Sequence, residues 1–229
     1  IIIVLASQFK ERMLDVIDSP KKIIVMPTTV DVNSFQEKLK SNSKDTFNIL
    51  FLSRIIRNKG IFEIVNSIEN IMMYNQQKKI KFIFAGDGID KRSLEKYVID
   101  KKLENYVEFT GYVRGKEKAN LFKKCDIFIF PSYHAEGCPV AVLEAMASGL
   151  PVISTDVGAL REIIIDCVNG IIISKQSVEQ ITEAINTLIN NKELRAKISK
   201  NNRKKAKAEF DVPIIFKKIE SIYDNLIES

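Results

Sequence analysis

Short runs of β-branched and other apolar residues alternate with longer amphipathic stretches along most of this chain. The runs are Ile1–Ala6, Lys22–Met26, Asn48–Ser53, Lys81–Ala85, Val107–Phe109, Asp126–Phe130, Pro151–Ser154 and Gly170–Ile173. Each has strand length and continuous apolar character, as expected of strands buried on both faces. Helical patterns separate them, at Ile61–Tyr74, Lys91–Lys101, Lys116–Lys123 and Val178–Asn190. Buried strands separated by helices predict parallel βα units, and right-handed crossovers then give an α/β doubly wound sheet. Ligands of such sheets bind in loops at the carboxyl ends of the strands, so those loops are where chemistry is sought.

The chain has 229 residues, 45% hydrophobic and 28% charged, enough for one generous domain or a domain plus a fragment. It contains no apolar run of membrane-spanning length. Ile1–Ala6 is too short for a signal peptide and lacks a basic leader, and with no initial Met the chain is expected to begin inside a longer protein. Cys125, Cys138 and Cys167 are odd in number and lack metal-site spacing, and His134 is the only histidine. Reduced thiols, a cytoplasmic setting and no metal site are the reading. The net charge of +6 owes much to Lys197–Lys207, with Lys200, Arg203, Lys204, Lys205 and Lys207. A solvated helix face accounts for these. Attraction to an anionic inner-membrane face or to a lipid-phosphate acceptor is the alternative. No aromatic residues interleave with the lysines, so nucleic acid is not expected as a partner.

The segment Glu136-Gly-Cys-Pro-Val-Ala-Val-Leu-Glu144, followed by Ala145-Met-Ala-Ser-Gly-Leu-Pro151, combines several signals. Pro139 suits a first helical position, and Gly149 with Pro151 reads as a helix stop. The amides of Gly137, Cys138 and Val140 around that helix start, with the helix dipole, favour an anion such as a phosphate. Glu136 and Glu144 are acceptors suited to hydroxyl groups on either side of it. A phosphate flanked by polyols is the outline of a nucleotide sugar. In Leu52–Gly60, Arg54 and Lys59 can both reach a diphosphate, one as a planar fork and one as a mobile point charge, while Arg57 is assigned to solvent. Gly86 and Gly88 form a tight turn after a strand but not a GxGxxG fingerprint, which disfavours a dehydrogenase. Asp156 reads as a helix cap or turn residue, and Gly158 as a lining residue of the site.

Together these motifs resemble the retaining glycosyltransferases of family 4, which have the GT-B fold of two Rossmann-like domains. The resemblance implies that Glu136 contacts the donor sugar and Glu144 the ribose, while Arg54 and Lys59 bind the donor diphosphate. It implies a Gly-x-Gly turn at Gly86, and a base-binding loop at Phe109–Val113 where Tyr112 or Val113 covers the base. The donor site is then Arg54, Lys59, Gly86, Tyr112, Val113, Glu136, Gly137, Cys138, Pro139, Val140 and Glu144, with Glu136, Arg54 and Lys59 acting on the reacting centre. The family's catalytic histidine lies in the N-terminal domain, so His134 is read as a loop residue. Pro27–Phe35 resembles the family's crossing segment, with Thr28-Thr29 in place of the usual Asn-Gly. The implied organisation is a remnant of the N-terminal acceptor domain and crossing segment at 1–30, a linker at 31–45, a nucleotide-sugar-binding domain at 46–208 and a C-terminal helix at 209–229. The implied reaction transfers sugar from a nucleotide-diphospho-sugar to a glycan or lipid-linked acceptor, without a cofactor. Lacking most of the acceptor domain, the chain alone is expected to be inactive in transfer. A non-catalytic nucleotide-sugar-binding module and a GT-B-like sugar epimerase remain open. A glycoside hydrolase would also use two carboxylates but would need neither Arg54 nor Lys59.

Overall fold

The computed structural model describes residues 1–17, 19–35 and 46–227. Strand β1 (Ile2–Val4), helix α1 (Ser7–Leu14) and strand β2 (Ile23–Val25) form a small parallel βαβ unit, with Ile3 opposite Ile24. From Thr46 the main unit runs β3 (Thr46–Leu52), α2 (Ile61–Tyr74), β4 (Lys79–Ala85), α3 (Lys91–Asp100), β5 (Val107–Gly111), α4 (Gly115–Lys124), β6 (Ile127–Phe130) and α5 (Val140–Ala147). It continues with β7 (Val152–Thr155), α6 (Leu160–Ile163), β8 (Gly170–Ile173), α7 (Val178–Asn190), α8 (Lys192–Lys205) and α9 (Val212–Ile227). All eight strand positions expected from the sequence are occupied by strands.

Among the described residues, six of the strands form one parallel sheet in the order β5-β4-β3-β6-β7-β8. This is the doubly wound Rossmann-like order, in which the direction of winding reverses between the two central strands. Side chains alternate across it with the period of two that a pleated strand imposes. Ile49, Phe51, Ile127 and Ile129 pack towards Ile64 and Ile68 of α2 and Ile185 and Leu188 of α7. Leu50, Phe128 and Phe130 pack towards Phe122 of α4 and Leu143 and Met146 of α5. Burying each such side chain contributes about 1.5–3 kcal/mol, which makes the continuous apolar run of β6 incompatible with an exposed position.

The winding reverses between β3 and β6, which pair through Ile49–Ile127 and Leu50–Phe128. In sheets of this order ligands bind outside the carboxyl ends of the strands, at this reversal.

Residues near the start of the crossing segment are fastened to the C-terminal part of the chain. Val30 donates its amide to Phe210 O at 2.9 Å. Arg203 donates to Phe35 O at 3.0 Å and to Ala147 O at 2.6 Å. Val30, Val32 and Phe35 are buried in the core of the main unit. Residues 31–35 of the expected linker therefore belong to that core, and residues 36–45 lie outside the described residues. The expected boundary at 208 falls inside a π-helical turn, Ala206–Phe210, that continues α8. Asp211 follows, and its Oδ1 accepts from Val212 N at 3.1 Å and Val32 N at 3.2 Å.

The basic stretch divides in two. Lys197, Lys200, Lys204 and Lys207 are exposed. Arg203 departs from the solvated-face reading because its guanidinium serves two carbonyls, and Lys205 donates to Glu162 O at 3.2 Å. Among the described residues no helix is long and apolar enough to cross a membrane.

Candidate active site

The loop leaving β3 is held by β4 and its loop. Ser53 donates its amide to Ala85 O at 3.1 Å, and Ile55 donates to Asp87 O at 2.8 Å. A 3-10 turn, Arg57–Lys59, then ends at Gly60 with φ of 76°. Gly60 is required twice over. Its φ is left-handed, and a Cβ would stand 2.4 Å from Pro131 O. The loop leaving β6 can thus pack directly on this turn, and Tyr133 donates its amide to Asn58 O at 3.0 Å.

That contact delivers Lys59 to Glu136. The Lys59 ammonium donates to Glu136 Oε1, and the Ser132 hydroxyl donates to the same oxygen at 2.5 Å. Both side chains of the ion pair are nearly enclosed, at 5% and 11% exposure. Phe130 closes one side, its ring centre 5.4 Å from Lys59 Nζ. The backbone of Glu136 is fixed from the β7 side. Ala159 donates its amide to Glu136 O at 3.1 Å, and a Cβ on Gly158, whose φ is 60°, would lie 2.0 Å from that oxygen. Thr155 donates its hydroxyl to Ser132 O, tying β7 to the same loop.

Helix α5 starts one residue later than the sequence reading places it. Pro139 is the N-cap, with φ of −67° and ψ of 112°, and Val140 is the first helical residue. The correction is small because the missing proline N–H costs nothing at either position. Val142 and Leu143 both donate to Pro139 O, at 3.0 and 3.4 Å. The amides of Val140 and Ala141 precede any intrahelical acceptor, so the positive end of the helix faces outward beside Glu136.

Glu144 lies one turn into α5 among Val142, Leu143, Ala145, Met146 and Ala147, and is buried like them. Lys118 of α4 donates to its Oε1. Burial raises the carboxyl above its ordinary value, and the hydrogen bond and charge of Lys118 oppose that rise. The two glutamates are thus treated alike: a lysine holds Oε1 of each. Oε2 of each has no protein partner among the described residues.

The other expected site residues fall into two groups. Arg54 is exposed in the β3 loop, with no side-chain hydrogen bond or ion pair among the described residues. Gly86 sits behind that loop and donates its amide to Gly111 O at 2.7 Å. Gly137 borders the small βαβ unit, with Leu5 Cδ1 3.1 Å from where its Cβ would stand. Tyr112 is exposed at 75%, whereas Val113 is 7% exposed in the core beside Phe122. The Val113 side chain is thus a core group, clustered with Phe122. The Cys138 thiol is also buried, which pushes its pKa up, with a backbone hydrogen bond to Thr28 opposing. Arg57 is not simply solvated, since its guanidinium lies 4.2 Å from the Phe62 ring centre. His134 is an exposed loop residue. Asp156 pairs with Arg161 at 3.3 Å and caps no helix.

Sequence reasoning missed Lys118. A signal was present, because Lys118 precedes the buried Phe122 by four residues and so shares the inner face of α4. A lysine on that face calls for an acceptor or an exit to solvent.

A parallel sheet of this order, with helices on both faces, is the architecture of GT-B glycosyltransferases, the class of the solved structures it superposes on. The sequence profile described as glycosyl transferases group 1 matches residues 31–205, and the chain belongs to that family. It is 28% identical over 201 residues to the capsular polysaccharide biosynthesis glycosyltransferase CapM of Staphylococcus aureus, covering 87% of this chain and 51% of that protein. The chain spans about half the length of the curated relatives it matches. The fold superposes on Anabaena Alr3699/HepE, solved in complex with UDP and glucose, with a TM-score of 0.84 at 21% identity, covering 97% of this chain and 62% of that one. It also superposes on the C-terminal domain of the group 1 family protein LpcC from Francisella tularensis, with a TM-score of 0.70 at 26% identity, covering 80% and 99%.

Proposed function

We propose that this chain is the donor-binding part of a retaining, family 4 glycosyltransferase, and that its crevice holds a nucleotide-diphospho-sugar. The observation that carries the reading is the pair of enclosed glutamates at the switch point, each tethered by one oxygen and flanking the open end of α5. The Anabaena relative's complex with UDP and glucose supports a donor of this kind.

The chemistry to be accelerated is departure of a nucleoside diphosphate from an anomeric carbon. Charge grows on the leaving oxygen, and preorganised donors there lower the barrier. Lys59 has three N–H groups; one serves Glu136, and two remain for phosphate oxygens. Arg54 supplies a fork and the amides of Gly137, Cys138 and Val140 supply the helix end. Glu136 Oε2 orients hydroxyls of the sugar, and Glu144 Oε2 accepts from the ribose. The acceptor, a glycan or a lipid-linked sugar, is presented by an N-terminal domain in the full-length protein, so this chain alone binds donor without transferring it. The exposed face of Lys197, Lys200, Lys204 and Lys207 suits peripheral contact with an anionic cytoplasmic membrane face, at about 1 kcal/mol per lysine.

A thermal-shift panel with UDP, GDP, ADP and their common sugar conjugates tests the reading. A ligand at a hundredfold over its dissociation constant adds about 2.7 kcal/mol of stability. The expected result is a shift with one nucleotide family, lost in Lys59→Ala. No shift with any of them, in this chain and in the full-length protein, would overturn it. In the full-length protein, donor turnover separates an enzyme from a binding module, and acceptor dependence separates a transferase from an epimerase.

A further inference from the structure

We propose that Lys118 is a positioning residue that aims Glu144 at the ribose, and so sets the preference of this site for ribonucleotides over 2′-deoxyribonucleotides. The inference rests on the donor-site reading above and adds to it a residue outside the crevice loops.

Glu144 has no packing reason to be where it is. Its neighbours on α5 are buried apolar residues, and an apolar side chain there would avoid the cost of burying a carboxylate. The two glutamates also differ in how firmly they are held. Glu136 Oε1 accepts from both Lys59 and Ser132, and its backbone carbonyl is gripped by Ala159. Glu144 accepts a side-chain hydrogen bond from Lys118 and from no other group among the described residues. Arg203 also reaches α5, but it is spent on Ala147 O and Phe35 O.

The direction of the Glu144 carboxylate therefore depends on one donor, carried by a different helix. The Lys118 side chain is 25% exposed and that of Glu144 is 6% exposed, so a partly exposed lysine on α4 holds an enclosed carboxylate on α5. Taking Oε1 turns Oε2 outward as the oxygen able to accept from vicinal hydroxyls. A ribose offers two of these and a 2′-deoxyribose one, so an aimed carboxylate separates the two sugars and an unaimed one does not.

The test is titration calorimetry of the wild-type chain with UDP, GDP and ADP and with their 2′-deoxy forms, repeated for Lys118→Met, Lys118→Arg and Glu144→Gln. Wild type should prefer the ribo form of the nucleotide it binds by about tenfold or more, the discrimination expected of a hydrogen bond to a charged group. Lys118→Met keeps the aliphatic stem and should erase most of that preference, lowering affinity for the ribo form by more than that for the 2′-deoxy form, which has one hydroxyl fewer to lose. Lys118→Arg should restore the preference. Adding Lys118→Met to Glu144→Gln should cost nothing further. A purely structural role would instead lower both affinities together, in Lys118→Met as in Lys118→Arg. That result, or full ribose preference in Lys118→Met, overturns the proposal. If Lys118→Met fails to fold, Lys118→Gln and Lys118→Arg decide it: ribose preference must be reduced in the first and retained in the second. Failure of wild type to bind any of the three nucleotides, both as this chain and in the full-length protein, would reject the donor reading itself, and this inference with it.

Discussion

Replacing Lys59 by methionine keeps the aliphatic stem and removes the charge from an ion pair whose side chains are 5% and 11% exposed. At such burial the stability change is dominated by the stranded partner, and breaking one side of a pair costs about 3–5 kcal/mol. Ser132 continues to donate to Glu136 at 2.5 Å, which places the expected loss near the lower bound. At roughly 2–4 °C per kcal/mol for a chain of this size, a loss of about 3 kcal/mol lowers Tm by roughly 6–12 °C. Glu136→Gln added to Lys59→Met removes the stranded charge while keeping an acceptor for Ser132, so the double variant should be more stable than Lys59→Met alone. Urea melts of wild type, both single variants and the double variant measure the cycle. A loss below about 1 kcal/mol in Lys59→Met, the range of exposed pairs, would refute the reasoning, as would strict additivity in the double variant. The same coupling shapes the functional test. Lys59→Ala should weaken the bare nucleoside diphosphate and the nucleotide sugar together, whereas Glu136→Gln should mainly blunt discrimination between sugars.

Gly158→Ala puts a Cβ 2.0 Å from Glu136 O at a φ of 60°. The left-handed backbone alone costs an alanine about 1–2 kcal/mol, and displacing the Glu136 loop should add to the fall in Tm and abolish nucleotide-sugar binding; a wild-type Tm would contradict this geometry. Glu144→Gln should change the pH dependence of stability. Burial raises the native carboxyl, so the native state holds its proton to higher pH than the unfolded chain, and stability falls as pH rises above the ordinary glutamate range near ~4.3. The glutamine lacks this penalty, so its Tm relative to wild type should improve between pH 4 and pH 7, and an opposite slope in calorimetry would overturn the assignment. Arg54→Ala touches nothing else among the described residues and should leave stability within about 0.5 kcal/mol. Its nucleoside-diphosphate affinity should nonetheless drop, and unchanged affinity by calorimetry would remove Arg54 from the site.

The strands were legible because a parallel sheet covered on both faces demands uninterrupted apolar runs, and Ile127-Phe-Ile-Phe130 fits no other position in such a fold. Lys59 and Glu136 each stood out in the sequence, but their pairing did not. It depends on Gly60 admitting Pro131 from a distant strand, which a linear reading does not display. Lys118 was hidden among Lys116, Lys123 and Lys124 on the same helix, and only the register against Phe122 separates it from them. Val113 reads in the sequence as ligand-facing because it lies just past a strand end, whereas its side chain is buried in the core with Phe122. Arg203 looked like one more surface cation because carbonyl acceptors, unlike carboxylates, leave no mark in a sequence.

The pairing of β3 with β6 has a consequence for how the chain acquires its site. Ile49 with Ile127 joins residues further apart in sequence than any other strand pairing in this sheet. Contacts of such separation form late, because the intervening chain must be ordered before they are rewarded. β3, β4 and β5 can associate while the crevice does not yet exist; it comes into being only when β6 docks and carries Glu136 to Lys59. The proposed binding site is thus the closing seam of the fold, and a nucleotide bound across it would slow the first step of unfolding as well as shift its equilibrium.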